Sequence, residues 1–195
     1  MAAAGEPNVP TRPLGGTGLK ISMLGLGGYH LGRIRDDGQS VRLIRKAIDM
    51  GVTFLDNAWE YHNGRSEELM GKALADGYRK KVFLMTKHHG RDKKTAMKHL
   101  EDSLRRLRTD VIDLWQFHEV VCEKDPEMIF AVDGGIEAAD LARKQGKVRF
   151  IGFTGHRDPG GDGLWKPSAA SLRSAATKNS VSKPYRNYCN DRRLH

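Results

Sequence analysis

The feature that most constrains the fold is an alternation of short apolar segments with longer amphipathic ones between residues 19 and 156. This alternation is typical of a parallel sheet whose strands are connected by helices. The segments predicted as strands are Met23–Gly27, Thr53–Asp56, Val82–Lys87, Val111–His118 and Val148–Phe153. The segments predicted as helices are Gln39–Met50, Ser66–Asp76, Lys93–Arg106 and Pro126–Lys144. An open doubly wound sheet and an eight-stranded (β/α) barrel both produce this alternation, so the pattern leaves both architectures open.

Glycines mark the predicted turns. The segment from Arg12 to Ile21 contains three glycines and is predicted to form a short hairpin that could plug one end of a barrel. Three other glycines fall at or near predicted helix ends, where a left-handed residue is favoured: Gly51, Gly77 and Gly146.

The charge of the chain is unevenly distributed. A net charge of +9 suggests nucleic-acid binding, but residues 1–156 carry only +4 and residues 157–195 carry +5. We therefore predict a flexible N-terminus over residues 1–11, a globular region over residues 12–156 and a basic, disordered tail over residues 157–195. Nucleic-acid binding through this tail is the weakest alternative, and it predicts salt-sensitive retention on nucleic acid.

The sequence also argues against membrane and metal sites. No apolar stretch approaches the roughly 18 residues of a membrane-spanning helix, and the N-terminus lacks a signal-peptide pattern, so we expect a cytoplasmic protein without membrane partners. Cys122 and Cys189 lack the neighbouring Cys or His of a zinc site. His88 and His89 would point to opposite faces of a strand, so no metal site is predicted.

Polar side chains that can support catalysis stand at the ends of three predicted strands. Asp56 ends the second strand, Lys87 the third and His118 the fourth. Because the carboxyl ends of parallel strands meet at one edge of a sheet, where α/β folds bind ligands, we expect these side chains to face one cavity. Tyr61 lies on the loop that leaves the same edge.

Together these residues form a coherent proton-donating group. A free tyrosine has a pKa of about 10, and we expect the ammonium of Lys87 to lower the pKa of Tyr61. Asp56 would keep Lys87 charged and in place, and His118 would hydrogen-bond a substrate carbonyl. Each residue alone has an ordinary structural explanation, so the functional interpretation depends on their convergence.

The ordered motifs of the chain resemble those of the aldo/keto reductases, particularly the bacterial-type members. The resemblance covers about residues 12–158. It rests on the glycine-rich segments 14–22 and 24–28, the segment 53–67 that contains Asp56, Tyr61 and Ser66-Glu67, and the motifs 85–87, 103–107, 113–118 and 146–152.

The resemblance implies an eight-stranded (β/α) barrel, of which this chain contains about five units and an N-terminal hairpin. It implies an oxidoreductase that reduces aldehydes or ketones to alcohols with NADP(H), or alternatively NAD(H). The implied catalytic residues are Asp56, Tyr61, Lys87 and His118, with Tyr61 as the general acid. The implied cofactor-binding residues are Gly28, Tyr29, Asp56, Thr154 and His156, and the implied substrate-binding residues are Trp59 and His118.

The chain departs from the family pattern in two places. Thr154-Gly155-His156 stands where the family usually has a Ser-Asn pair that holds the carboxamide of the cofactor. The match also stops before the last three strands, which supply most adenosine and phosphate contacts in the family. The alternative function is therefore a catalytically inactive fragment or a regulatory binding subunit on the same scaffold. Exposed strand edges would also favour self-association.

Overall fold

A two-stranded hairpin precedes a five-stranded parallel sheet in the computed structural model, which describes residues 9–122 and 124–155. Strands β1 (Thr11–Pro13) and β2 (Lys20–Ser22) pair antiparallel. The turn between them has a positive φ at Gly15 and at Gly18, a conformation that glycine adopts without steric cost. The predicted hairpin is therefore confirmed.

The large sheet follows the order of the chain. Its strands are β3 (Gly25–Gly27), β4 (Phe54–Asp56), β5 (Phe83–His88), β6 (Ile112–Phe117) and β7 (Val148–Phe153). Each strand is parallel to the next and hydrogen-bonded to it. A doubly wound sheet reverses its strand order at a switch point, whereas a (β/α) barrel adds each new strand on the same side. The observed order is therefore that of an incomplete barrel, and the five predicted strands are confirmed.

Helices connect the strands. They are α1 (Gly28–Leu31), α2 (Asp37–Asp49), α3 (Arg65–Ala73), α4 (Lys93–Leu107), α5 (Lys124–Phe130) and α6 (Gly135–Lys144), with a 3-10 turn at Tyr78–Lys81. The side chains of Asp36 and Asp92 cap α2 and α4 by accepting hydrogen bonds from backbone N–H groups. The three glycines predicted at helix ends all have positive φ: Gly51, Gly77 and Gly146.

The prediction of a single helix over Pro126–Lys144 is wrong. The chain forms α5 and α6 instead, and Asp133 between them has a φ of 56°. A Cβ at Gly134 would lie 2.4 Å from the carbonyl oxygen of Ile129, and the N–H of Gly135 bonds the carbonyl of Arg91 at 2.7 Å. The paired glycines therefore end the first helix and connect the second to the loop after β5.

Apolar side chains cover both faces of the sheet. Alternating strand residues point to opposite faces, so Leu84 and Trp115 pack under the helices while Phe83, Met85 and Leu114 form a second cluster. Leu14 and Ile21 of the hairpin belong to this second cluster, which also contacts Phe54 and Phe150. The hairpin therefore covers the amino-terminal end of the sheet and leaves the carboxyl edge to the site described below.

Several sequence-based predictions concern residues that the structure does not describe. Residues 1–8 of the predicted flexible N-terminus lie outside the described residues, as do His156 and the predicted tail over residues 157–195. Within residues 9–122 and 124–155, no helix has both the length and the apolar character needed to cross a bilayer. The cytoplasmic location stays a prediction.

Candidate active site

The four residues expected to form a catalytic group meet at the carboxyl edge of the sheet. Asp56 is the last residue of β4, Lys87 lies one residue before the end of β5, and His118 directly follows β6. The N–H of His118 bonds the carbonyl of His88 at 2.8 Å, which fixes its position beside β5. Tyr61 lies in the tight turn before α3, where its N–H bonds the carbonyl of Ala58 at 3.1 Å.

Lys87 is the centre of this group. Its ammonium donates to the carboxylate of Asp56, to the carbonyl of Asn57 at 2.8 Å and to the phenol oxygen of Tyr61 at 3.4 Å. The side chain of Lys87 is 5% exposed and that of Asp56 is 35% exposed. The three N–H donors of the ammonium therefore each have an acceptor, and the charge of Lys87 is balanced by Asp56.

Burial changes the acidity expected for Tyr61. Removal from water raises the pKa of the phenol, and the Asp56 and Glu60 carboxylates also raise it, while the Lys87 ammonium lowers it. The net result is a raised pKa. Lys87 does lower the pKa of Tyr61, as expected from the sequence. The net pKa of Tyr61 is nevertheless raised, because the effect of burial is larger.

Glu60 links two histidines at the same edge. Its carboxylate contacts Nδ1 of His118, and Nε2 of His89 lies 3.2 Å from the same oxygen. Burial lowers the pKa of His118, and the neighbouring Glu60 carboxylate opposes this effect. Burial would raise the pKa of Glu60, but the two imidazoles hold it well below its usual range. The His118 ring also meets the Tyr61 ring edge-on, with centroids 5.9 Å apart.

Gly28 and Tyr29 lie next to this group at the end of β3. The Ser66 hydroxyl donates to the carbonyl of Gly28 at 2.6 Å. A Cβ at Gly28 would lie 2.7 Å from the Ser66 hydroxyl and 2.8 Å from the Asn57 side chain, so only glycine fits there. Tyr29 is 47% exposed, and its ring meets that of Tyr61 edge-on at 5.3 Å. An exposed aromatic surface therefore borders the phenol.

Trp59 is held by helix α4. Its indole stacks on the ring of His99 at 3.7 Å, and its N–H donates to Asp102 at 3.3 Å. Arg106 donates to the carbonyl of Trp59 at 2.9 Å. These contacts fix the start of the loop between β4 and α3 to helix α4. The same loop carries Glu60 and Tyr61.

Thr154 follows β7 and lies beside the segment after β6. Its hydroxyl accepts a hydrogen bond from the N–H of Glu119 at 3.1 Å, and its own N–H bonds the carbonyl of Phe117 at 2.8 Å. His156, the other residue predicted to hold a carboxamide, lies outside the described residues.

Two buried ion pairs support the site, and no motif in the sequence indicates either of them. Arg91 donates to the carbonyl of His118 at 2.8 Å and pairs with Asp125 at 3.0 Å. Glu67 accepts from the Thr86 hydroxyl at 2.7 Å and pairs with Arg106 at 3.4 Å. The first pair fixes the segment after β6, and the second fixes α3 against β5 and α4.

Glu60 is a further site residue that the sequence analysis does not predict, although it directly precedes Tyr61 in the sequence. An acidic residue next to a predicted general acid is a signal that could have identified it. Its partners come from two other strand ends, so no spacing along the chain predicts the contact.

A cavity of about 730 Å³ lies at the opposite end of the sheet. Its lining includes residues before β6 and β7, namely Thr109, Asp110, Val111, Gly146 and Lys147. None of the four residues at the carboxyl edge lines it, so the convergent polar groups, and not this cavity, identify the candidate site.

Comparison with known proteins agrees with this geometry. Residues 23–159 match the model of the aldo/keto reductase family. The chain is 31% identical over 186 residues to Aldo-keto reductase YhdN of Bacillus subtilis (strain 168), a match that covers 87% of this chain and 51% of that protein. It is 30% identical over 160 residues to L-galactose dehydrogenase of Arabidopsis thaliana, covering 75% of this chain and 49% of that protein.

Solved structures show the same similarity. The holo form of aldo-keto reductase AKR11C1 from Bacillus halodurans superposes with a TM-score of 0.66 at 32% identity, covering 76% of this chain and 51% of that one. An aldo-keto reductase from Klebsiella pneumoniae in complex with NADPH superposes with a TM-score of 0.58 at 30% identity, covering 69% of this chain and 45% of that one. The chain spans about half the length of the curated relatives that it matches.

Proposed function

Because this chain belongs to the aldo/keto reductase family, we propose that its site reduces aldehydes or ketones to alcohols with NADPH, and that Tyr61 donates the proton. The observation that carries this proposal is the contact of the buried Lys87 ammonium with both Asp56 and the phenol oxygen of Tyr61.

The described residues fit the nicotinamide end of NADPH. The Asp56 side chain is 35% exposed, so its carboxylate can accept hydrogen bonds from ribose hydroxyls while it holds Lys87. Tyr29 offers an exposed aromatic ring beside Tyr61 for contact with a flat heterocycle. Gly28 lets the backbone approach where a side chain would collide with Ser66 and Asn57. When NADPH is bound, it supplies a hydride to the carbonyl carbon.

The remaining cofactor contacts follow from the family resemblance. We propose that the Thr154 hydroxyl and the His156 side chain hold the carboxamide in place of the usual Ser-Asn pair. The preference for NADPH over NADH rests on the NADPH complex of the Klebsiella pneumoniae relative, and NADH is the alternative.

Four residues of the chain would transfer a proton to the carbonyl oxygen and stabilise the charges that result. Tyr61 donates its phenolic proton to the carbonyl oxygen as negative charge develops there. The Lys87 ammonium, 3.4 Å from the phenol oxygen, stabilises the phenolate that remains, and Asp56 keeps that ammonium in position. His118, whose ring lies edge-on to Tyr61, hydrogen-bonds the carbonyl and orients it.

Trp59 and His118 are the residues we propose for substrate contact. The stacking of Trp59 on His99 fixes the indole, and the backbone N–H of Trp59 donates to the carbonyl of Lys87 at 2.9 Å. A fixed apolar ring favours carbonyl substrates with an apolar substituent next to the reacting carbon.

A second candidate function is non-catalytic binding on the same scaffold. The observation that favours it is the pair of unpaired sheet edges in the part of the chain that the structure describes. Within the described residues, β3 and β7 each pair with one neighbour and are edge strands. We propose that these edges favour self-association, which size-exclusion chromatography with light scattering would detect as a dimer or larger assembly.

A fluorescence titration of NADPH into the size-checked 195-residue chain tests the first function, followed by assays with a panel of aldehydes and ketones. Saturable binding together with turnover supports the reductase. Saturable binding without turnover supports the binding subunit. A folded chain that neither binds nor turns over contradicts both.

A further inference from the structure

Three potential metal ligands from three parts of the chain converge beside the proposed catalytic residues. Glu60 comes from the loop after β4, His89 directly follows β5, and His118 directly follows β6. One ligand atom from each lies within 4.8 Å of the ligand atoms of the other two. Nε2 of His89 lies 3.2 Å from the Glu60 carboxylate, which also contacts Nδ1 of His118.

The spacing fits a transition-metal ion. A tetrahedral Zn²⁺ with ligands at about 2.0–2.1 Å holds neighbouring ligand atoms roughly 3.4 Å apart. The 3.2 Å between Nε2 of His89 and the Glu60 carboxylate oxygen is close to this value, and Nδ1 of His118 lies closer to the same oxygen, so binding of one ion requires the His118 ring to move away from it. The second carboxylate oxygen of Glu60 is buried and has no hydrogen-bond partner within the described part of the chain.

The ligand types determine the class of ion. Two imidazoles and one carboxylate form the ligand set of several catalytic zinc sites and of non-haem iron sites. Imidazole nitrogen favours Zn²⁺, Co²⁺, Ni²⁺ and Cu²⁺ over Mg²⁺ and Ca²⁺, which prefer oxygen ligands. The Lys87 ammonium nearby is balanced by Asp56, so the negative charge of Glu60 remains available to the ion.

We propose that Glu60, His89 and His118 bind a divalent transition-metal ion such as Zn²⁺, with water completing the coordination. The side chains of Glu60 and His89 are 31% and 27% exposed, so the ion can enter from solvent. The sequence alone indicates no metal site, because His88 and His89 taken as a pair would point to opposite faces of a strand. The structure pairs His89 with two residues from other strand ends and buries His88 against Trp115.

Occupation of this site would inhibit carbonyl reduction, a consequence that rests on the proposed function. The ion would bind a ring nitrogen of His118, the residue assigned to orient the substrate carbonyl, and would place positive charge close to Tyr61 and Lys87. A transition metal would therefore act as an inhibitor that competes with productive carbonyl binding.

Cobalt binding tests the site independently of any enzymatic activity. The untagged chain is titrated with Co²⁺ while its visible ligand-field absorption is recorded and its binding heat is measured. We expect one Co²⁺ per chain with the intense absorption of a four- or five-coordinate ion, and competition by Zn²⁺ but not by Mg²⁺.

Variants distinguish this site from adventitious binding. Glu60→Gln and His89→Gln each remove one ligand with little change in volume. Loss of a group that merely orients a ligand costs about 10–100-fold in affinity, so we expect loss of a ligand to cost at least about 100-fold. His30→Gln is the matched control, because His30 is an exposed histidine on α1 and is not part of the cluster.

The proposal is overturned if the wild-type chain binds no Co²⁺, or if both variants, shown to be folded by circular dichroism, bind it as tightly as the wild type. Neither result affects the proposed reductase function, since NADPH binding is measured separately. If Co²⁺ binds at the site and carbonyl reduction continues unchanged, the inhibitory consequence is wrong while the metal site stands.

Discussion

The ammonium of Lys87 lies 3.4 Å from the phenol oxygen of Tyr61, although 26 positions separate the two residues in the chain. This contact requires β4 and β5 to be parallel neighbours, so that the loop after β4 passes over the end of β5. The parallel pairing of β4 and β5 thus places the Tyr61 phenol next to an ammonium that can stabilise the phenolate.

Lys87→Met should lower the rate of carbonyl reduction by about 100-fold or more, because the phenolate of Tyr61 loses its stabilising charge. NADPH affinity should change much less. The measurement is a single-turnover rate with a separate NADPH titration. Lys81→Met is the control, since Lys81 is half-exposed and pairs with Asp49 away from the site. Equal losses of rate in the two variants would count against the role of Lys87.

Tyr61→Phe should lower carbonyl reduction by about 100-fold to 10,000-fold, the range expected for loss of a general acid. It should leave NADPH binding nearly intact, because it removes one hydroxyl and little contact surface. Tyr78→Phe is the matched control, as the hydroxyl of Tyr78 donates to Asp49 at an exposed position. An equal loss of cofactor affinity and rate in Tyr61→Phe would refute the assignment of Tyr61 as the acid.

Gly28→Ala should destabilise the chain by about 1–3 kcal/mol, because the added methyl group would overlap the Ser66 hydroxyl and the Asn57 side chain. Thermal or urea unfolding measures the change in free energy. Gly27→Ala is a close control, since a Cβ at Gly27 meets no atom within 4 Å and the backbone there is extended. If the two variants are equally stable, the packing described around Gly28 is wrong.

Asp125→Asn should destabilise the chain by about 3–5 kcal/mol at neutral pH, because it leaves the Arg91 guanidinium buried without a counter-charge. Burial acts to raise the pKa of Asp125, but the hydrogen bonds from Arg91 and the N–H of Cys122 outweigh it and lower the pKa. A lowered pKa in the folded state stabilises the fold above the unfolded pKa of about 4, and this stabilisation is lost as the pH falls through the folded value.

Urea unfolding from neutral to acidic pH tests this prediction. The difference in stability between wild type and Asp125→Asn should be largest near neutral pH and should shrink below about pH 4. Asp76→Asn is the control: Asp76 is 75% exposed, and its pair with Arg45 should contribute no more than about 1 kcal/mol. A difference for Asp125→Asn that does not depend on pH would contradict the role of its charge.

The sequence predicted the strands well because each apolar run is bounded by glycines, charges or turn residues. It failed at Pro126–Lys144, where helical periodicity on both sides concealed a break at Gly134 and Gly135. A glycine pair is itself a signal for a break. The reason for this break is a tertiary contact, the hydrogen bond from Gly135 to Arg91, and such a contact is not visible in a local pattern.

The site was predictable only in part. Asp56, Lys87 and His118 follow from one rule, that parallel strands end at one edge, and the structure places all three there. The net acidity of Tyr61 was mispredicted because burial cannot be read from its position in the sequence. Glu60 was missed because its importance comes from contacts with two other strand ends.

In the proposed function, the chain transfers a hydride from NADPH to a carbonyl while Tyr61 supplies the proton. Its most direct test uses NADPH carrying deuterium at both C4 positions of the nicotinamide, with an aldehyde or ketone substrate and mass spectrometry of the alcohol. The wild-type chain should form an alcohol with deuterium on the former carbonyl carbon, and Tyr61→Phe should form little of it. Saturable NADPH binding without any deuterated alcohol from a folded wild-type chain would contradict the claim.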